Sequence, residues 1–241
     1  MRWIELSGDL GEQMMRYAYA LAHRTGDDNV GVVSHNDALK EIFPALPECV
    51  ERRSRFVDRI LGKRCDEVKP HEWRNYSCVE SLGNSVHEYF AINSDLLPDE
   101  YASLIEKLSR RDTVAVHVQS PTKKSCTCTP DYYNWAIAGM RTWLENPRFV
   151  VVTDDERTAR RYLQFADAEV EWVSLPTRQH RLIFAALSHA SHNILCNTYQ
   201  SWWGAWLNKN EDKIVVIPKK WKNDDDCSRI MPLYWTIVPV N

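Results

Sequence analysis

The sequence predicts an α/β protein built on a parallel, doubly wound sheet, and three features predict it. Short apolar runs such as TVAVHV (Thr113 to Val118) and RFVVVT (Arg148 to Thr153) have the length and β-branched content of buried parallel strands. Segments of helical periodicity separate these runs, so that strand and helix alternate along the chain. The opening stretch SGDLGEQMMRYAYA (Ser7 to Ala20) completes the set, with a loop holding two glycines between a strand and a helix. Sheets of this kind take their ligands at the carboxyl ends of the strands. The 241 residues suffice for one large domain or two small ones. The best boundary lies between residues 98 and 112, giving a first α/β half over 1–105 and a more regular second half over 106–241.

Each element follows from local pattern. Trp3 to Leu6 reads as a strand, and Glu12 to Arg24 as a helix in which Met14, Tyr17, Ala18 and Leu21 recur at three- and four-residue steps, with Gly26 ending it. Val30 to Ser34 is the second strand. From Asp37 to Leu97 helical stretches mix with Pro44, Pro47 and Pro70, which blur the pattern. A helix over Asp99 to Arg111 leads into the strand at Thr113. Pro130 to Glu145 is a helix with proline in its first turn; Arg148 to Thr153 is a strand and Asp155 to Phe165 a helix. The alternation continues through strand Glu169 to Leu175, helix Arg178 to Ala190, strand His192 to Cys196, helix Ser201 to Asn208 and strand Lys213 to Pro218. No repeat or low-complexity segment interrupts it.

Composition narrows the function classes. No apolar stretch approaches the roughly 18 to 20 residues that span a bilayer, and the first residues lack the charged-then-apolar pattern of an export signal because Glu5, Asp9 and Glu12 interrupt it. Seven cysteines, an odd number, scattered along such a chain fit free thiols in a reducing compartment, with the cytoplasm as the expected location. A net charge of -3 gives no general attraction to nucleic acid. The locally basic ERRSRFVDRILGKR (Glu51 to Arg64) reads as a solvated helix face or as a contact with an anionic membrane or substrate. Walker, G-x-S-x-G and paired-cysteine redox motifs are absent, and Cys126 and Cys128 lack the second pair that a zinc site needs, so no metal is expected.

Four strand-end stretches could carry chemistry. In the first loop Gly8 and Gly11 let backbone N–H groups face a ligand, and the helix beginning near Glu12 offers its positive end to an anion. In VAVHVQSPTKK, His117 ends an apolar strand as either a packing residue or a reactive one, ahead of Gln119, Ser120, Lys123 and Lys124. Asp154 and Asp155 leave a strand for a helix, where a carboxylate either caps the helix or accepts the paired N–H donors of guanine. In CNTYQSWWGAWL, Asn197, Thr198 and Ser201 precede or open a helix and suit phosphate oxygens, while Trp202, Trp203 and Trp206 pack it onto the sheet.

Together these stretches resemble the bacterial α-1,2-fucosyltransferases, glycosyltransferase family 11. SGDLGEQMMRYAYA is similar to the family's GGLGNQMFQYAFA, sharing Gly8, Leu10, Gly11, Gln13, Met14, Tyr17, Ala18 and Ala20. NTYQSWWGAWL resembles NSTFSWWAAYL, IPKKW (Ile217 to Trp221) resembles the strand and PKxW ending, and VTDDE resembles the SDD segment. The resemblance implies a GT-B-like enzyme, two Rossmann-like halves facing a cleft, with the first half on the acceptor side and the second on the nucleotide-sugar side. It implies inverting, metal-independent transfer of L-fucose from GDP-fucose to the 2-hydroxyl of a terminal galactoside. Asp154 or Asp155 would then recognise guanine. Asn197, Thr198 and Ser201 would lie near the phosphates, joined by Gln119 and Lys123, and the loop carrying Gly8, Gly11 and Gln13 would border the cleft. His117, Glu12 and Asp9 are the candidates for catalysis. Surface-polysaccharide assembly, with peripheral contact to a membrane bearing a lipid-linked acceptor, is the expected setting.

The chain departs from the family's pattern in two places. The family's HxRRGDY is HVQSPTK here, so Gln119 and Ser120 stand where arginines would grip a diphosphate. Asp9 and Glu12 put two carboxylates where the family has glycine and asparagine, which opposes an anion at that helix start. Three readings follow. Lys123, Lys124, Arg16 or Arg181 holds the diphosphate by another route, the donor is another nucleotide sugar, or the chain is a non-catalytic carbohydrate- or nucleotide-binding relative.

Overall fold

A computed structural model describes residues 2–24, 29–34, 37–49, 51–52, 68–99, 101–120, 128–163, 165, 170–175, 179–221 and 227–239. The chain forms two compact units, Met1–Leu96 and Leu97–Asn241. The division falls before the 105/106 boundary expected from the sequence. That boundary would cut the helix Tyr101–Leu108, whose Tyr101 and Leu108 are buried and which packs with elements of the second unit.

The first unit carries a three-stranded parallel sheet in the order β1 (Arg2–Glu5), β2 (Val30–Val33), β3 (Glu51–Arg52). Helix α1 (Leu10–Ala22) crosses over from β1 to β2 and buries Met14, Tyr17, Ala18 and Leu21, the stripe its periodicity predicts, together with Met15. Among the described residues four short helices follow: α2 (Ala38–Ile42), α3 (Pro70–Trp73), α4 (Tyr76–Glu80) and α5 (Ser85–Tyr89). Proline at the start of α3, where an N–H would be unpaired anyway, begins a helix in the stretch whose pattern prolines obscure. The basic run ending at Arg64 lies mostly outside the described residues.

The second unit holds six parallel strands in the order β6-β5-β4-β7-β8-β9. They are β4 (Thr113–Val118), β5 (Arg148–Thr153), β6 (Val170–Ser174), β7 (His192–Ile194), β8 (Val215–Pro218) and β9 (Thr236–Val238). Helix α6 (Tyr101–Leu108) leads into β4, and α7 (Pro130–Trp143), α8 (Glu156–Tyr162), α9 (His180–His189) and α10 (Tyr199–Leu207) connect successive strands from β4 to β8. All six β4 residues are buried and pair in register with β5, Thr113 opposite Arg148 through Val118 opposite Thr153. Val114, Val116 and Val118 join Tyr132, Tyr133, Ala136, Ile137 and Met140 of α7 in one core cluster. Alternation directs Ala115 and His117 to the opposite face.

Trp202 and Trp203 of α10 are fully buried and meet edge to face at 5.2 Å, so both tryptophans contribute to packing as expected. Trp206 stacks on Trp202 at 4.9 Å. A Cβ on Gly204 would stand 2.4 Å from Leu187 Cβ, so glycine there permits α9 and α10 to pack closely. Among the described residues no helix is long and apolar enough to cross a membrane.

Candidate functional site

Numbered from β4, the second sheet has the order 3-2-1-4-5-6, the doubly wound arrangement in which chain direction across the sheet reverses between its first and fourth strands. That switch point lies between β4 and β7, and their carboxyl ends bring His117 together with Cys196. His117 Nδ1 lies 3.2 Å from Cys196 Sγ, with 3% of the histidine and none of the cysteine exposed. Two tyrosines of α7 hold the backbone beneath them. Tyr133 donates its hydroxyl to the His117 carbonyl at 3.1 Å, and Tyr132 donates to the Leu195 carbonyl at 2.6 Å. Complete burial pushes the Tyr132 phenol well above its ordinary pKa, so it remains a neutral donor.

The turn after Cys196 is closed from within. Thr198 caps α10, its Oγ1 accepting the Ser201 N–H at 3.1 Å, while Ser201 Oγ accepts the Cys196 N–H at 3.2 Å. Cys196 Sγ also lies 3.5 Å from Thr198 Oγ1. Asn197 is buried, with Oδ1 3.6 Å from Cys128 Sγ. Ser201 is wholly buried, and its oxygen accepts within this turn.

At the ends of β4 and β5, Asp154 Oδ1 accepts the Ser120 N–H at 2.7 Å and ties the two strand-end loops together. Asp155 caps α8, with Oδ1 accepting the Thr158 N–H at 3.1 Å and Oδ2 accepting the Thr158 hydroxyl at 2.6 Å. Those two bonds, the hydroxyl's first, hold its carboxyl below the ordinary aspartate pKa. Of the two carboxylates proposed for guanine, Asp155 therefore serves as the helix cap. Gln119 is half-buried at the end of β4. Lys123 and Lys124 lie outside the described residues, and Arg181 stands half-buried in the first turn of α9.

In the first unit the helix starts earlier than Glu12. Asp9 is its cap, accepting the Glu12 N–H at 2.9 Å, and Gly11 lies buried in its first turn rather than in the loop. Gly8 has φ +89, a left-handed conformation natural to glycine, and Glu12 folds toward it: a Cβ there would stand 1.9 Å from Glu12 Oε2. Gln13 Nε2 donates to the Gly8 carbonyl at 3.0 Å. Arg16 donates to the Ser7 carbonyl and hydroxyl, and its guanidinium lies 4.4 Å from the Trp73 ring centroid. Arg16 thus braces this loop.

No group of three or more histidine, cysteine or carboxylate side chains placed to hold a metal occurs among the described residues. A groove of about 1080 Å³, lined by Lys107, Arg110, Arg141, Arg148, Phe149 and Phe165 among others, lies at the amino ends of β4 to β6, away from the strand ends described above.

Known proteins show similarity over the same regions. A model of glycosyl transferase family 11 matches residues 106–236, more than half of the chain and nearly all of the second unit. The chain belongs to glycosyltransferase family 11. This family 11 member is 31% identical over 183 residues to the O-antigen biosynthesis glycosyltransferase WbnK of Escherichia coli, an alignment covering 68% of the chain and 58% of that relative. It is 24% identical over 205 residues to an alpha-1,2-colitosyltransferase of Escherichia coli, covering 79% and 69%. The chain thus spans little more than half the length of the first relative. Its fold is similar to the glycosyl transferase family 9 structure from Veillonella parvula, with TM-score 0.52, 8% identity, and coverage of 98% of this chain and 85% of that one. Fold likeness and the parallel sheets agree with the expected α/β, GT-B-like class.

His117, Asp154, Asn197, Thr198 and Ser201 are among the residues legible from the sequence as site candidates, whereas Cys196 is not. Its partner lies 79 residues away in sequence, and the available signal was that both residues end apolar runs predicted to be strands.

Proposed function

We propose that this family 11 glycosyltransferase moves L-fucose, or a closely related deoxy sugar, from a GDP-sugar to the 2-hydroxyl of a terminal galactoside, with inversion and without a metal. The observation that carries this reading is the clustering of His117, Cys196, Asn197 and the start of α10 at the switch point of a doubly wound sheet. The uncharged Cys196-to-Ser201 turn, ahead of a helix N-terminus, suits an incoming diphosphate. In this reading the His117 ring donates toward the departing diphosphate as its charge grows, and Asp154 or its neighbours meet the base. Glu12 is the candidate base for the acceptor hydroxyl, leaving Asp9 to its cap. The acceptor belongs to a surface polysaccharide assembled on the cytoplasmic side of a membrane. Similarity to an alpha-1,2-colitosyltransferase makes GDP-colitose the second donor to test.

The test is a thermal-shift comparison of GDP, UDP and TDP with their sugars, followed by transfer to galactosides. At 100 times its Kd a ligand of the folded state adds about 2.7 kcal/mol of stability. Selective stabilisation by GDP, and product formation from GDP-fucose that stops when the acceptor 2-hydroxyl is methylated, is the expected result. Selectivity for UDP or TDP would replace the donor assignment. Binding of glycans without transfer from any nucleotide sugar would make the chain a non-catalytic relative.

A further inference from the structure

His117 is useful to a departing diphosphate only if the ring nitrogen facing that group carries a proton, and the surrounding bonds indicate what sets this. The hydroxyl of Thr198 already accepts the Ser201 N–H at 3.1 Å, so its own proton is available to a second partner. Cys196 Sγ stands 3.5 Å away and can accept it. Cys196 then has one proton to give, and His117 Nδ1 lies 3.2 Å from its sulfur. With these roles assigned, the bonds would run one way, from the Ser201 N–H in the first turn of α10 through Thr198 and Cys196 to the imidazole.

The opposite direction fits less well. With a proton on Nδ1 the ring would donate to sulfur, and the thiol would donate to Thr198, whose hydroxyl would need a further acceptor. The remaining ring nitrogen would then be a lone pair, which repels an anion. A thiolate paired with an imidazolium would place two separated charges where the histidine is 3% exposed and the cysteine is not exposed at all.

We propose that Cys196 is a positioning residue whose thiol donates to His117 Nδ1 and fixes the neutral tautomer with its proton on Nε2. This rests on the donor-side reading of His117 given above. No covalent step is involved: the sulfur keeps its proton, and only the hydrogen-bond direction matters.

Nitrogen NMR of the full chain, with 15N-labelled histidine and no substrate present, tests the assignment directly. His117 is expected to show a bare Nδ1 and a protonated Nε2, and Cys196→Ser, which keeps a donor, should preserve that signature. Cys196→Ala should give a mixture of tautomers and lower kcat about tenfold with little change in KM, the effect of losing one orienting hydrogen bond. Thermal unfolding of both variants shows whether the turn still folds, and rescue by serine separates donation from simple packing. A protonated Nδ1 in the unaltered protein, a doubly protonated ring at neutral pH, or an unchanged tautomer in Cys196→Ala would overturn the proposal. If the tautomer is as stated but His117→Ala transfers sugar at full rate, the donor-side role fails and the tautomer assignment stands.

Discussion

Two strand-to-helix turns, one in each unit, are built on a common plan and differ in charge. From Ser7 to Gln13, Asp9 caps α1 by accepting the N–H three residues on; from Cys196 to Ser201, Thr198 caps α10 in the same way. The first turn carries Asp9 and Glu12 and is braced by Arg16, whereas no ionisable carboxylate or cation occurs from Cys196 to Ser201. A helix N-terminus attracts anions through its unpaired N–H groups and aligned dipoles. In the first turn the protein supplies that anion itself. The second turn uses neutral oxygen and sulfur, so its field is left for a ligand, and the difference teaches that matching motifs at two strand ends need not share a task.

The largest expected effect tests the second turn's claim to the chemistry. His117→Ala should lower transfer about 100-fold, the loss associated with one donor to a developing negative charge. The folded protein should persist by circular dichroism; unchanged turnover would dissolve the contrast.

A smaller pair of changes sharpens the comparison. Asp9→Ala and Thr198→Ala should each cost about 1 kcal/mol of stability in urea unfolding, because each removes a cap. Only Thr198→Ala should also reduce the stabilisation by GDP that the proposed donor site predicts. Asp9→Asn keeps a capping oxygen, so stability and turnover should both stay near those of the unaltered protein. A large loss of turnover in Asp9→Asn would return Asp9 to the catalytic candidates.

The smallest effects are those of pH, and they have the same sign in the two units but fall in different windows. Arg2 donates to Glu72 at 2.6 Å and holds that carboxyl at about 2. The resulting stabilisation is present above the ordinary glutamate pKa and fades as pH falls toward about 2; solvent screening limits it to about 1 kcal/mol. In the second unit Lys213 donates to the Asn208 carbonyl at the end of α10, and burial pulls its ammonium down to about 8. Between about 8 and its ordinary pKa the unfolded chain binds more protons, so this unit should gain stability as pH rises through that window. Hydrogen exchange resolved by element should show β1 weakening in acid and α10 strengthening in mild alkali.

How much of this was legible in the sequence follows from how local each cause is. Strands β4 and β5 match their expected limits residue for residue, because continuous apolar runs define them without help from elsewhere. The capping of α8 by Asp155 was one of two readings that its type allowed, and only the paired bonds from Thr158 decide it. Strand β9 has three residues and one buried side chain, Val238, too little to leave a periodic trace. Short helices α3 to α5 are likewise below the length at which a stripe repeats. The bonds joining Asp154 to Ser120 and Cys196 to His117 depend on strand order, which one sequence does not state.

Gly204 has a consequence for anyone who would redesign donor choice. With no methyl between them, α10 rests on Leu187 of α9, so the two helices shift together or not at all. Their first turns follow β7 and β6, one at the switch point and the other at the far edge of the sheet. Substitutions selected near Arg181 and near Asn197 should therefore show epistasis despite the strands between them. Varying both loops in one library, rather than in succession, is the route by which a compatible pair would be found.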